Sequence, residues 1–334
     1  MALVGIIANP ASGKDIRRLV AYGAVFDNLE KVNIVRRVLL SLASTGIREV
    51  VFMPDYYGIV PKAAEGISEK HRLQMEVSPA DICITGTQRD TLQASLLMAS
   101  LGVDCIITLG GDGTNRLVAK GCGTIPILPI STGTNNVFSV MVEGTIAGLA
   151  GGVVAKGTVS GFPAVQPSKR LIVYKNGEAI DSALIDVVIL KDEFIGSRAV
   201  WDVERIVQVL VTQGEPHNIG ISSIAGNLQP VSAQENCGLT IDFASNGTLV
   251  RAPIAPGLIE VVQVNSYRRI MIGERVAIRE APCVIALDGE REIEVQEKDN
   301  VFVQLAFDGP QVVNIRSALH EAVGKGYSRL PPAE

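Results

Sequence analysis

The residues with the clearest chemical potential form a glycine-rich segment, Gly110-Gly111-Asp112-Gly113-Thr114-Asn115, directly after the apolar segment 104–109. Its glycines let backbone N–H groups crowd toward one point without Cβ clashes. Such a nest, continued by a helix N-terminus, binds phosphate. The carboxylate of Asp112 would then contact a Mg²⁺ ion on that phosphate, directly or through water, or take the proton of an acceptor hydroxyl. The pattern therefore predicts phosphate binding beside an acid; a plain helix N-cap in a tight turn is the alternative.

Two further loops follow strand candidates and carry polar side chains that suit a phosphate or a sugar. After segment 125–130 come Thr132, Gly133, Thr134, Asn135 and Asn136, and after segment 3–8 come Asn9, Ser12, Gly13 and Lys14. The second loop is not a P-loop, because Ala8 replaces the first glycine of that motif and Asp15 replaces its Ser or Thr. Lys14 is either a point charge for a phosphate or a solvated surface lysine. Because parallel sheets bind ligands at the carboxyl ends of their strands, we expect the loops to form one cleft.

The elements around these loops indicate two domains. In residues 1–160, strand-like segments alternate with amphipathic segments such as 28–43 and 87–101, a pattern typical of a parallel sheet with helices on both faces. In residues 161–315, short apolar segments are separated by the turn dipeptides Asn176-Gly177, Asn246-Gly247 and Asp288-Gly289. This second pattern predicts an antiparallel β domain. One helix, over residues 199–212, is predicted to interrupt its strands.

Composition excludes several classes of protein. The 334 residues include 30 Lys and Arg against 35 Asp and Glu, for a net charge of −5, and only 4% are aromatic. A protein that binds nucleic acid through a broadly basic, base-stacking surface is therefore not expected. No apolar run approaches the length of a membrane-spanning helix. The apolar composition and the sheet edges of the second domain predict a homo-oligomer.

Cysteine and histidine are too few and too scattered to build a structural site. The five cysteines form no CxxC pair, and the three histidines stand far apart. A disulfide framework is therefore not expected, nor is a transition-metal site held by protein side chains alone. The free cysteines predict a reducing, cytoplasmic compartment. The segment Gly121-Cys122-Gly123 begins like a dinucleotide-binding fingerprint, but Pro126 and a following strand break the pattern. This mismatch argues against an NAD-dependent oxidoreductase.

The motifs together resemble the NAD kinase and diacylglycerol kinase superfamily, whose hallmark is the GGDGT loop, here residues 110–114. Segments similar to the lipid-kinase branch are 9–14 (NP-x-SGK), 133–136 (GTxND) and 286–290 (DGE). Segments similar to NAD kinases are 183–189, which resembles a strand written ALN-acid-VVI, and 252–258, which resembles PI-x-PH-x-L. This mixture is most similar to the ATP-NAD kinase-like AcoX proteins, which are associated with acetoin catabolism operons.

The resemblance implies a fold and an activity. The fold would be a Rossmann-like α/β domain followed by an antiparallel β-sandwich domain, with the active site between them and residues 316–334 returning to the first domain. The activity would be transfer of a phosphoryl group from ATP or polyphosphate, with Mg²⁺, to a hydroxyl of NAD or another small molecule. The loop residues named above would hold the donor, and Asp186 would help to hold the acceptor.

The resemblance leaves the base and the acceptor open. Asp112 would be the base if the chemistry follows NAD kinases and Asp288 if it follows lipid kinases; we favour Asp112 because of its glycine setting. Ile185 stands where NAD kinases carry an Asn, and the Asp of the lipid-kinase GTxND motif is missing after Asn136. A lipid-type kinase and a non-catalytic nucleotide-binding protein of a catabolic operon are therefore the alternatives.

Overall fold

The computed structural model describes residues 2–13, 22, 26–67, 74–133, 135–192, 194–195 and 203–329. The strands are β1 Leu3–Ala8, β2 Glu49–Phe52, β3 Glu76–Pro79, β4 Cys105–Gly110, β5 Ile127–Ser131, β6 Val165–Pro167, β7 Arg170–Lys175, β8 Glu178–Ala183, β9 Asp186–Leu190, β10 Ile206–Val211, β11 Cys237–Ala255, β12 Leu258–Met271, β13 Arg275–Ile278, β14 Cys283–Leu287, β15 Glu290–Val295, β16 Val301–Ala306 and β17 Gln311–Val313. The helices are α1 Asn28–Ser44, α2 Ile59–Glu65, α3 Gln88–Leu101, α4 Asp112–Gly121, α5 Gly144–Ala155, α6 Ser222–Leu228 and α7 Ile315–Gly324. Among the described helices, none combines the length and apolar character that crossing a membrane requires.

The N-terminal domain is a three-layer α/β structure, as the sequence predicted. Its sheet has the order β3-β2-β1-β4-β5-β17-β6, and the strands are parallel except where β6 pairs with β17. Neighbouring strand residues face opposite layers because side chains alternate along a strand. Ile107 packs in the core under α1 and α5, whereas Ile106 packs in the core under α3 and α4. The last helix, α7, buries Ala318 and Ala322 in the first of these cores.

The C-terminal domain is an antiparallel β-sandwich. A six-stranded sheet of order β12-β11-β10-β9-β14-β15 faces a four-stranded sheet of order β13-β16-β7-β8. Their shared core contains Leu171 and Val303 from the smaller sheet and Val187 and Ile285 from the larger one. Helix α6 packs on the other face of the larger sheet. The resulting architecture confirms the predicted fold class.

The predicted helix over 199–212 is wrong. A 3₁₀ turn at Val203–Arg205 leads into strand β10, which lies between β9 and β11, and residues 199–202 fall outside the described part of the chain. Strand β10 is central in its sheet and carries four β-branched residues, which favour a strand. Because both faces of such a strand are apolar, its sequence lacks the alternation of apolar and polar residues that identifies a half-exposed strand.

The predicted turns have two outcomes. Asn176-Gly177 and Asp288-Gly289 form hairpins with positive φ at both residues, 54° and 91° in the first and 50° and 80° in the second. The prediction at Asn246-Gly247 is wrong, because this dipeptide lies inside β11. The pairing of β11 with β12 shifts between Phe243 and Thr248, so the dipeptide belongs to an irregularity within a long hairpin.

Candidate active site

The polar loops that follow β1, β4 and β5 meet on one cleft. These three strands are neighbours in the sheet, so the loops after their carboxyl ends lie side by side. The cleft has a volume of about 1150 Å³. The predicted site residues that line it are Asn9, Ser12, Gly13, Gly111, Asp112, Gly113, Thr114, Gly133, Asn135, Asn136 and Asp288. Lys14 and Thr134 lie outside the described residues.

The side chain of Asn136 leaves no space for a Cβ at Gly111 or Gly133. Its Oδ1 accepts a hydrogen bond from the backbone N–H of Asp112 at 3.3 Å, and its Nδ2 donates to Ser131 Oγ at 2.8 Å. A Cβ at Gly111 would lie 2.8 Å from Asn136 Oδ1, and a Cβ at Gly133 would lie 2.8 Å from its Nδ2. The loops after β4 and β5 therefore pack closely on either side of Asn136, and both positions require glycine.

Other predicted residues shape the loops from below. The buried side chain of Asn115 donates to Gly111 O at 3.0 Å and accepts from Thr108 Oγ1 at 2.6 Å. The hydroxyls of Ser12 and Thr132 share a hydrogen bond of 2.7 Å, and the backbone carbonyl of Gly110 accepts from the N–H of Thr132 at 3.1 Å. Asn9 Nδ2 donates to Thr114 Oγ1 at 2.9 Å, which joins the β1 loop to the β4 loop. Asn115, Thr132 and Gly110 are therefore placed to position the loops rather than to face the cleft.

A buried lysine that sequence reasoning missed lies beneath the β1 loop. The ammonium group of Lys31 donates to Asn9 O at 2.8 Å, to Ser12 O at 2.9 Å and to Asn28 Oδ1 at 3.1 Å, and the residue is 0% exposed. A positive charge at this depth stabilises negative charge bound above it. The signal in the sequence was a lysine within the apolar face of α1, one position before Val32.

The carboxylate of Asp112 begins helix α4 and is held by the segment after β5. Its Oδ2 accepts from the N–H of Val137 at 2.8 Å, and its Oδ1 accepts from the N–H groups of Phe138 at 3.1 Å and Ser139 at 3.2 Å. Burial raises the pKa of Asp112 to about 7; these hydrogen bonds oppose the shift, and the charge of Asp288 adds to it. Among the described groups, one N–H donates to Oδ2, which leaves a lone pair for a proton or a cation.

Asp288 reaches the same cleft from the opposite domain. It occupies the β14–β15 turn, and its carboxylate accepts from the N–H groups of Leu184 (3.0 Å to Oδ2) and Ile185 (2.8 Å to Oδ1). Its own N–H donates to Asp186 O at 3.0 Å, which holds the turn against the start of β9. Burial raises the pKa of Asp288 to about 6, opposed chiefly by the positive charge of Arg116.

Arg116 joins the two domains and was also missed. It lies one turn after Asp112 in α4 and is 2% exposed. Its guanidinium contacts Asp181 on β8 at 3.2 Å and Glu292 on β15 at 2.9 Å. The residue is thus a cation of the first domain surrounded by acids of the second. Nothing in the sequence marks it, because its partners are 65 and 176 positions away.

A small cavity of about 20 Å³ lies where the three acids Asp112, Asp186 and Asp288 approach one another. Asn135 and Ser222 also line it, and the buried atoms Asn135 Oδ1 and Ser222 Oγ have no hydrogen-bond partner among the described groups. Buried polar atoms without a protein partner usually form a hydrogen bond with a ligand or a water molecule. No set of three or more His, Cys, Asp or Glu side chains in the described ranges is arranged to hold a metal ion by itself.

Comparison with known proteins matches two parts of the chain to two family models. Residues 4–158 match the family model of the ATP-NAD kinase N-terminal domain, and residues 169–308 match that of the acetoin catabolism protein X C-terminal domain. Acetoin catabolism protein X of Cupriavidus necator is 40% identical over 330 residues, which cover 96% of this chain and 92% of that protein.

Two solved structures are also similar. Yeast NADH kinase, in a complex with NADH, is 14% identical with a TM-score of 0.47, and the match covers 100% of this chain and 90% of that one. A diacylglycerol kinase from Bacillus anthracis is 15% identical with a TM-score of 0.44, and the match covers 93% of this chain and 96% of that one.

Proposed function

Because this chain belongs to the acetoin catabolism protein X family and carries an ATP-NAD kinase N-terminal domain, we propose that it transfers a phosphoryl group from ATP to a hydroxyl of a small molecule. One observation carries the proposal: the polar loops after β1, β4 and β5 of the first domain line a single cleft together with one acid from each domain, Asp112 and Asp288. In phosphoryl transfer the protein mainly positions the reactants and stabilises spread negative charge.

The donor phosphates would bind at the start of α4. The N–H groups of Gly113 and Thr114 stand in the first turn of the helix, where no acceptor exists within the helix itself. Lys31 adds positive charge beneath the loop of Asn9 and Ser12. Asp112 is the residue that would hold Mg²⁺, through water if it is also the base and directly if Asp288 is the base, because Oδ2 has a lone pair for only one of these partners. When bound, Mg²⁺ neutralises charge on the phosphate oxygens.

The acceptor hydroxyl would lose its proton to a carboxylate in the small cavity between the domains. Asp112 is our choice, because a pKa of about 7 suits a base that works near neutrality. Asp288 lies in the same cavity with a pKa of about 6 and is the other candidate. Asp186 and the unpartnered Ser222 Oγ would hold the acceptor. We assign donor binding to residues 1–160 and acceptor binding to residues 161–315.

NAD is one acceptor to test, although Ile185 offers no polar group for it. A second candidate function is nucleotide binding without transfer. It is favoured by the backbone hydrogen bonds around Asp112 and Asp288, which suit carboxylates that act as structural anchors. Under this reading neither acid reaches a substrate.

Labelled ATP with Mg²⁺ and a panel of acceptors would separate these functions. The panel should include NAD, sugars, diols, sphingoid bases and diacylglycerol, with calorimetric titration of ATP in parallel. Label in any acceptor, absent with the Asp112→Asn variant, supports the kinase. ATP binding without label in any acceptor favours the second candidate, and absence of ATP binding contradicts both.

We further propose a homo-oligomer in a reducing compartment. Strand β12 is an edge strand, and the outward side chains Leu249, Ile259 and Val261 on β11 and β12 are between half and two-thirds exposed. An apolar patch beside an unpaired strand edge is costly to leave in water. Light scattering should give more than one chain, and Val261→Asp should reduce that mass; a monomeric wild-type protein would contradict the proposal.

A further inference from the structure

Two adjacent tyrosines line the same cleft as the polar loops after β1, β4 and β5. Tyr56 and Tyr57 follow strand β2 and line the same cleft as Gly111 and Gly113. Tyr56 is 76% exposed and Tyr57 is 36% exposed. Large aromatic surface is costly to leave in water, and only 4% of this chain is aromatic. Neither residue has a part in the phosphate and proton chemistry described above.

The position of Tyr56 is held by the protein itself. Its hydroxyl donates to Ile84 O at 2.8 Å, which ties the ring to the loop before α3. Gly86 lies against the ring, since a Cβ there would be 3.4 Å from it. The loop is itself held, because Asp90 accepts hydrogen bonds from the N–H groups of Thr85 and Gly86.

Tyr57 is held from the other side. Asp55 Oδ1 accepts from the N–H groups of Tyr57 at 2.8 Å and Gly58 at 2.9 Å, which stabilises the turn into α2. The ammonium group of Lys62 lies 3.7 Å from the centre of the Tyr57 ring. Because both rings are held before any ligand arrives, a ligand that stacks on them loses little entropy in ordering them.

A continuous wall joins these rings to the glycine loop. From Gly86 the chain enters α3, where Gln88 Nε2 donates to Glu290 Oε2 at 2.8 Å. The other carboxylate oxygen of Glu290 would lie 3.3 Å from a Cβ at Gly113. The tyrosines and the start of α4 therefore line the same cleft.

We propose that Tyr56 and Tyr57 form a shelf for the base of a nucleotide whose phosphates lie at Gly111–Thr114. The inference rests on the proposed function and makes it more specific: the preferred donor is a nucleoside triphosphate and not inorganic polyphosphate, which would leave the shelf bare. Bases stack on aromatic side chains whatever their sequence, so the shelf selects for the presence of a base rather than for one base. The same chemistry would serve the adenine of NAD.

Calorimetric titration of the full-length protein tests the shelf. The ligands are ATP, inorganic tripolyphosphate and NAD, each with Mg²⁺, and the proteins are the wild type, Tyr56→Ala/Tyr57→Ala and a control, Tyr267→Ala. Tyr267 is also exposed but lies on β12, outside the residues that line the cleft. The shelf predicts that the double variant binds ATP about 10- to 100-fold more weakly, binds tripolyphosphate unchanged and melts at the wild-type temperature.

Each result decides between the readings. Loss of NAD affinity with ATP binding unchanged overturns the donor shelf, because the rings would then serve the acceptor instead. Equal loss of ATP and tripolyphosphate overturns the shelf, because the tyrosines would then only shape the phosphate loops. Unchanged affinity for both ATP and NAD overturns it as well. If neither ATP nor tripolyphosphate binds the wild type, the proposed function itself fails, a result distinct from failure of the shelf.

Discussion

The Nε atom of Arg116 lies 3.9 Å from Oδ2 of Asp288, so a cation on the helix that begins at Asp112 faces the acid on the opposite wall of the cleft. The same guanidinium holds Asp181 and Glu292, whose side chains are mostly shielded from solvent. This arrangement ties the glycine loop of one domain to the acidic turn of the other. Arg116 therefore helps to set the geometry of the cleft, although it does not line it.

Arg116→Met should lower the free energy of unfolding by about 3 kcal/mol, because the change leaves Asp288 and Glu292 without this cation, whereas Asp181 keeps its ion pair with Lys120. Arg37→Met is the matched control, since Arg37 pairs with Glu30 and Glu143 on the surface. Such exposed pairs contribute at most about 1 kcal/mol. Urea unfolding measures both variants. Equal losses would contradict a linking role for Arg116.

The pH profile of kcat/KM should fall on the acid side as pH drops through about 7. A base must be deprotonated to accept a proton, and burial raises the pKa of Asp112 to about 7. Arg116→Met distinguishes the two acids, because Arg116 lowers the pKa of Asp288 and is not among the causes acting on Asp112. An acid limb that moves to higher pH in this variant identifies Asp288 as the base; a limb that stays or moves to lower pH keeps Asp112, because a protonated Asp288 no longer raises the pKa of Asp112.

Asp112→Asn should reduce the rate of phosphoryl transfer by about two to four orders of magnitude while the protein remains folded. The amide places an N–H₂ group against the N–H donors of residues 137–139, so we also expect a loss of about 1–3 kcal/mol in stability. Asp81→Asn, on an exposed acid, is the control. Transfer assays with circular dichroism check both effects. A folded Asp112→Asn protein with full activity would reject Asp112 as the base.

Lys31→Met should raise the KM for ATP tenfold or more and change kcat less. The variant removes the charge that holds the carbonyls of Asn9 and Ser12 beneath the proposed phosphate site. Lys156→Met is the control, because Lys156 also donates to a backbone carbonyl, that of Thr45, away from the cleft. Steady-state kinetics and thermal melting separate the effects. A lower melting temperature with an unchanged KM would show that Lys31 serves the fold alone.

Much of the fold was predictable because its signals are local. Amphipathic spacing marked α1 and α3, and paired positive φ values confirmed the Asn176-Gly177 and Asp288-Gly289 hairpins. Strand β10 was misread because it is buried on both faces, and a strand in that position shows no alternation. The Asn246-Gly247 dipeptide was misread because its partner strand, and not its own composition, decided that β11 continues through it.

The sequence by itself identified the glycine-rich loop and its acid, because a strand that ends in glycines followed by an acid is a local pattern. It also determined that this loop meets the polar loops after β1 and β5, because neighbouring parallel strands end at one edge of a sheet. Only the tertiary structure decided which distant groups surround them. Arg116 finds acids from the other domain, Lys31 lies beneath a loop that precedes it, and Tyr56 is held by Ile84. Such contacts depend on packing between elements far apart in the chain, and no local pattern of residues records that packing.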